Sequence, residues 1–253
     1  MGEGELKVGV QLQPQGSSVE SILEAARRFD DMGVDSLWMW DHFFPIYGAP
    51  DAGSFESYTL MSAMAVVTQR ATIGALVTGI GYRNPNLLAD MARTIDHLSN
   101  GRFVLGVGSG WFERDYQEYG FEFGSAGDKL KTLERALGVI KDRIAVLNPA
   151  PVGRLPILIG GSGPKVTLRI VAEHGDAWNT FGPPNEFARL NAILDEWCEK
   201  VGRDPSTIER TVAISADEIG LASEFREAGA THLILMLAHP FETDEVEELL
   251  ANR

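Results

Sequence analysis

Eight short apolar-rich stretches, each followed by a segment with the apolar spacing of a helix, run in strict alternation along the chain. The strand candidates are residues 7–13, 34–40, 72–78, 102–107, 156–159, 176–179, 211–214 and 231–237. The intervening helix candidates are 19–32, 58–68, 86–98, 129–144, 165–174, 186–201, 218–228 and 244–250. In the first of these, Val19, Ile22, Leu23, Ala26 and Phe29 share one face, and Gly33 stands where a helix would stop. The strand interiors are continuous apolar runs rather than alternating ones, as expected where a parallel sheet is covered on both faces. The 253 residues divide into eight units of about 32, which fits an α/β fold, an eight-stranded parallel (β/α)8 TIM barrel. An open doubly wound sheet is the alternative, and eight repeated units favour the closed form. No linker-like stretch or shift of composition divides the chain, so residues 1–253 are expected to form a single domain.

Charge narrows the partners. With 22 basic against 36 acidic residues the net charge is −14, so the basic footprint that nucleic acid or an anionic membrane surface demands is missing. The longest apolar runs, such as residues 233–238, are far short of a membrane span. Met1 to Glu5 is acidic and does not read as a secretory signal, which makes the cytoplasm the expected location. The single Cys198 sits in a helical-looking stretch and reads as a buried, inert thiol. The five histidines are scattered, and the first strand ends in Gln11-Leu12-Gln13 rather than a His-x-His, so no metal site is expected. The acidic cluster Glu242, Asp244, Glu245, Glu247 and Glu248 suits the first turns of a helix, where negative charge opposes the macrodipole.

In a barrel of this kind chemistry belongs to the loops leaving the C-terminal strand ends. The second strand ends in Trp40-Asp41-His42-Phe43-Phe44, where a carboxylate next to an imidazole can move a proton, or can simply cap a loop beside a packed ring. The third strand carries Gly74, Gly79 and Gly81, which fits a bulge, backbone lying close to a ligand, or an ordinary tight turn. The fourth continues as Gly106-Val107-Gly108-Ser109-Gly110-Trp111. It is not a serine-hydrolase elbow, because positions 107 and 111 are not glycine. Gly160-Gly161-Ser162-Gly163-Pro164-Lys165 opens a helix and reads either as a phosphate cradle or as a glycine-rich connector. The sixth strand ends in Trp178-Asn179-Thr180. Glycine numbers 27 in all, a share above the typical value of about 7%. Gly74, Gly79, Gly81, Gly106, Gly108, Gly110, Gly160, Gly161 and Gly163 fall in three strand-end segments.

These strand ends resemble the luciferase-like family of flavin- and deazaflavin-dependent oxidoreductases. The matching text is Trp40-Asp41-His42, Asn84-Pro85 with the helix to Asp96-His97-Leu98-Ser99, the run from Gly101 to Trp111, Gly160 to Gly163, and Gly175 to Asn179. The resemblance implies a deazaflavin, coenzyme F420, or alternatively FMN, lying across the barrel mouth. Its phosphate would be held by Gly160, Gly161, Ser162 and Gly163, with Asn179 beside them. It implies a bulge in the third strand with a non-prolyl cis peptide at Leu76–Val77 against the ring, Thr78 and Gly79 following. Asp41 and His42 match ring-contacting and proton-handling positions, with Asp41 orienting the pair, and Ser109 and Gly110 match a contact to the sugar-alcohol chain. The sugar-phosphate dehydrogenase branch carries a Glu after the Gly-x-Gly of the fourth strand, and Trp111 takes that place here. A more apolar small-molecule substrate stacking on Trp40, Tyr82 and Trp111 is therefore expected. The implied activity is hydride transfer between coenzyme F420 and a small organic substrate, with oxygenation by reduced FMN as the alternative. The resemblance also implies a homodimer. Met61, Met64 and Met91 are candidates for its interface or, equally, for packing of helices on the barrel.

Overall fold

A computed structural model describes residues 5–253. Eight strands close into one parallel barrel in chain order: β1 (Lys7–Leu12), β2 (Ser36–Asp41), β3 (Thr72–Gly79), β4 (Phe103–Gly108), β5 (Ile157–Gly160), β6 (Ala177–Thr180), β7 (Glu209–Ile214) and β8 (His232–Leu237). β8 returns to β1, with Lys7 opposite His232 and Leu12 opposite Leu237. The helices between them are α1 (Val19–Met32), α2 (Ser57–Val67), α3 (Pro85–Leu98), α4 (Glu113–Tyr119), α5 (Ala126–Val146), α6 (Thr167–His174), α7 (Pro184–Val201), α8 (Ala222–Glu227) and α9 (Asp244–Ala251). No described helix is long and apolar enough to cross a membrane.

Local chemistry sets the ends of these elements. Ser18 and Ser21 close a capping box on α1, and Gly33 ends it in the left-handed region at φ 93°. α5 begins three residues before the apolar periodicity does, because the Ser125 side chain accepts from the Asp128 N–H and fixes the cap there. The stretch expected as one helix over 218–228 splits into a 3₁₀ segment, Ala216–Leu221, and the short α8. Gly220 sits in the 3₁₀ part. α4 has no counterpart in the sequence expectation. It is seven residues long and closes on Gly120.

Two cores result. The larger lies between barrel and helices and absorbs Met61 and Met64, both fully buried, while Met91 is half-buried against it. Met61 and Met64 thus pack helices on the barrel. Cys198 is buried in the same layer. The smaller core fills the barrel itself with Trp38, Leu76, Leu158, Ala177, Ala213 and Ile234. Gly74 is glycine because of Trp38: a β-carbon there would stand 2.5 Å from the indole. At Gly106 a β-carbon would stand 1.8 Å from the Ala75 carbonyl oxygen, so the β3 backbone presses directly on β4. The register between these strands shifts in that stretch, between Gly74 and Thr78. This is the bulge expected in the third strand, and the Leu76–Val77 peptide bond within it is cis.

Candidate active site

The C-terminal strand ends surround a cavity of about 400 Å³. Its floor is Leu76 and Val77 of the β3 bulge, with Gly79, Gly108, Gly110, Gly160 and Gly161 around them. The tightness is measurable, since a β-carbon at Gly108 would come within 2.8 Å of Val77 and one at Gly160 within 3.0 Å. Gln11 adds a polar contact from below, its Nε2 donating to the Leu76 carbonyl at 2.7 Å. Trp40, Ile46 and Met236 give apolar walls, and Ser109 and Asn179 polar ones. The rim is aromatic and open, with Trp111 62%, Tyr47 61% and Phe181 57% exposed. Among the described residues no carboxylate, lysine or arginine lines the cavity, and His42 is its one imidazole.

His42 is 7% exposed and held from several sides. Phe112 and Trp111 meet its ring edge-on, at centroid distances of 5.4 and 5.6 Å. Its Nδ1 lies 2.7 Å from Oδ2 of the fully buried Asp115. Asp115 also accepts from the Tyr82 hydroxyl at 2.8 Å, and from the backbone N–H groups of Phe43 and Phe44 at 3.1 and 3.3 Å. Burial, and then the charge of Asp115, push the Tyr82 phenol far above its ordinary range, so it stays protonated and donates.

The sequence-expected residues divide between two places. Trp40, His42, Leu76, Val77, Gly79, Tyr82, Ser109, Gly110, Trp111, Gly160, Gly161 and Asn179 converge on the cavity. Asp41, Thr78, Ser162 and Gly163 are not among its lining residues. Successive strand residues point to opposite faces, so Asp41 turns away from His42. There its carboxylate takes a fork from Arg83, at 2.5 and 3.1 Å, which also reaches Glu56 at 2.5 Å. Burial works against the Arg83 charge, and the Asp41 carboxylate more than offsets it, raising the guanidinium above its ordinary value. The partner of the His42 ring is Asp115, not Asp41. Thr78 bonds the Tyr58 hydroxyl behind the strand at 2.8 Å.

The glycine loop also differs from expectation. α6 starts at Thr167, four residues past Gly163, and the Gly161 N–H is already given to the Asn179 carbonyl at 3.0 Å. Gly163 packs on Thr167, where a β-carbon would stand 2.6 Å from the hydroxyl.

Gln11, Ile46, Tyr47, Phe181, Met236 and Asp115 were not anticipated as site residues. Gln11 alone carried a signal, a polar residue ending an otherwise apolar strand.

The family model for luciferase-like monooxygenases matches residues 6–217. The chain belongs to that family. Its members are oxidoreductases, and this chain is an enzyme of that class. An F420-dependent glucose-6-phosphate dehydrogenase of Amycolatopsis mediterranei is 28% identical over 231 residues, covering 83% of this chain and 68% of that one. A 4-hydroxyprotoasukamycin monooxygenase of Streptomyces nodosus subsp. asukaensis is 26% identical over 200 residues, covering 72% of this chain and 53% of that one. The chain thus spans about half the length of the latter relative. Among solved structures, an F420-dependent secondary alcohol dehydrogenase in complex with an F420-acetone adduct superposes with a TM-score of 0.84 at 19% identity. That match covers 97% of this chain and 96% of the other, and it establishes a shared fold.

The cavity suits a flat ring with a polar chain. The cradle is glycine where a ring would need backbone beneath it, and the buried Trp40 Nε1–H in its wall has no hydrogen-bond partner.

Proposed function

We propose that this protein is a coenzyme F420-dependent oxidoreductase acting on a small, neutral organic molecule that carries a hydroxyl or carbonyl group. The observation that carries the reading is the mouth cavity itself. It joins a glycine-lined floor at Leu76–Val77 to a single proton-exchanging side chain, in a lining without fixed charge. The F420-dependent relatives support the choice of coenzyme.

When bound, the deazaflavin supplies a carbon that takes or gives a hydride; the chain supplies everything else. Leu76, Val77 and the surrounding glycines hold the ring, with Ser109, Gly110 and Asn179 toward its chain. Substrate enters over Trp111, Tyr47 and Phe181, whose aromatic surfaces favour apolar bodies. His42 Nε2, the ring nitrogen not engaged by Asp115, takes the hydroxyl proton as the substrate carbon is oxidised, and returns it in the reverse direction. A phosphorylated sugar finds no cation in this lining, so the glucose-6-phosphate activity of the Amycolatopsis relative is not expected here.

Titration of the coenzyme-free protein with F420 and with FMN, followed by turnover of simple secondary alcohols against sugar phosphates, tests the proposal. Tight F420 binding with alcohol-dependent reduction of the coenzyme is the expected result. Preferential FMN binding with oxygen consumption would replace it with the monooxygenase reading.

A further inference from the structure

We infer that Asp115 is a positioning residue for the proton transfer. It locks His42 in the tautomer that carries its proton on Nδ1 and so keeps Nε2 free as the base facing substrate. The inference rests on the role proposed for His42, and its test is chosen to separate the two.

The argument is a count of donors. A carboxylate offers about four acceptor positions and no proton. At Asp115 four donors take them: Tyr82 Oη–H and His42 Nδ1 on Oδ2, and the N–H groups of Phe43 and Phe44 on Oδ1. The Tyr82 phenol stays protonated and is therefore the donor in its own bond. Nothing on Oδ2 can supply the hydrogen for the 2.7 Å contact to His42 except the imidazole. The proton sits on Nδ1, and the neutral ring then presents a lone pair at Nε2. Trp111 and Phe112 fix the ring plane from the edges. Asp115 fixes which edge faces the cavity.

The same contacts tie three elements that the sequence keeps apart. Asp115 belongs to α4, Phe43 and Phe44 to the loop after β2, and Tyr82 to the 3₁₀ turn after β3. A purely structural role would follow from these ties alone, without any consequence for the tautomer. The experiment must therefore read the tautomer directly.

Side-chain ¹⁵N NMR of His42 in the coenzyme-free protein does so, with assignment by loss of the signal in His42→Ala. The expected spectrum of neutral His42 has Nδ1 protonated and Nε2 bare. Asp115→Asn keeps the shape and can still accept from Phe43 and Phe44, while turning an N–H₂ toward Nδ1. That favours the opposite tautomer. Its expected signature is an exchanged pair of ¹⁵N shifts, F420 affinity within about threefold of the parent, and kcat lower by roughly 10²–10⁴-fold. Asp115→Glu is expected to retain the parent tautomer and to recover part of kcat. A parent spectrum with the proton on Nε2 overturns the inference, even where Asp115→Asn fails to fold. So does an Asp115→Asn enzyme with the parent's kcat. Should the protein bind no F420 and turn over no alcohol, the proposed function fails, while the NMR result on the coenzyme-free chain still decides the tautomer.

Discussion

Two buried histidines stand at opposite ends of one barrel, and each has a carboxylate on its Nδ1 side. At the C-terminal end His42 meets Asp115 at 2.7 Å and borders a 400 Å³ cavity without fixed charge. At the N-terminal end His232 lies 3.4 Å from Glu209, and its Nε2 is 2.8 Å from the Ser36 hydroxyl. Trp38 donates to that same Ser36 oxygen at 2.6 Å, so the serine is hydrogen-bonded to both rings. The space beside His232 is larger, about 1010 Å³, and rich in charge. Yet many of its charges are already matched: Lys7 with Glu209, Arg154 with Asp176, and Arg102 with the Ser99, Ala71 and Thr68 carbonyls. One end spends its polar groups on itself and gains stability. The other holds an imidazole nitrogen in reserve inside an apolar bowl, which is what chemistry needs. Volume alone would point to the N-terminal end.

The sharpest way to break this contrast is to remove each imidazole in turn. His42→Ala should lower kcat by about 10²–10⁴-fold, with F420 affinity little changed. His232→Ala should leave turnover within about threefold of the parent and instead destabilise the fold by about 1–3 kcal/mol, because the buried Ser36 hydroxyl loses its hydrogen-bond partner. Steady-state kinetics and urea unfolding measure both. A His232 variant that is stable but inactive would reverse the assignment of the two ends. A smaller effect is expected at the rim. Trp111→Ala should raise KM for an apolar alcohol about tenfold, from about 1–1.5 kcal/mol of lost aromatic contact. Its unfolding midpoint should stay put, since the indole is 62% exposed.

The barrel was legible because its strands are buried on both faces, and a run such as Leu233 to Leu237 has few other uses. The glycines at the strand ends marked the floor of the mouth for a related reason: only a missing β-carbon lets β3 lie against β4 at Gly106. Asp41 and Asp115 show where sequence stops. Asp41 adjoins His42 in the chain, yet the pleat sends neighbouring side chains to opposite faces, and the carboxylate pairs with Arg83. Asp115 lies 73 residues from His42, on a helix of seven residues too short to show an apolar stripe. Adjacency in a strand misled, and proximity through a loop left no pattern to find.

The subtlest difference between the two ends is one of pH. Burial alone would raise the Glu209 carboxyl, but the His232 imidazole and Lys7 outweigh it and hold it down at about 2, against an ordinary value of 4.5. A depressed folded-state value means that the carboxylate stabilises the native protein fully above pH 4.5. That contribution fades as the pH falls from 4.5 through 2, and is gone below that, where Glu209 is protonated in both states. Glu209→Gln cannot titrate. Its stability should therefore lie below the parent's at neutral pH and converge on it through that acid window, as followed by urea midpoints at a series of pH values. The Lys7 contact is partly exposed and salt-screened, so the gap should be modest and should narrow in high salt. No carboxylate among the described residues lines the mouth, so F420 affinity should be equal in parent and variant wherever both remain folded. If coenzyme affinity instead followed the Glu209 titration, the two ends would be coupled through the barrel, and the separation of a stabilising end from a reactive one would fail.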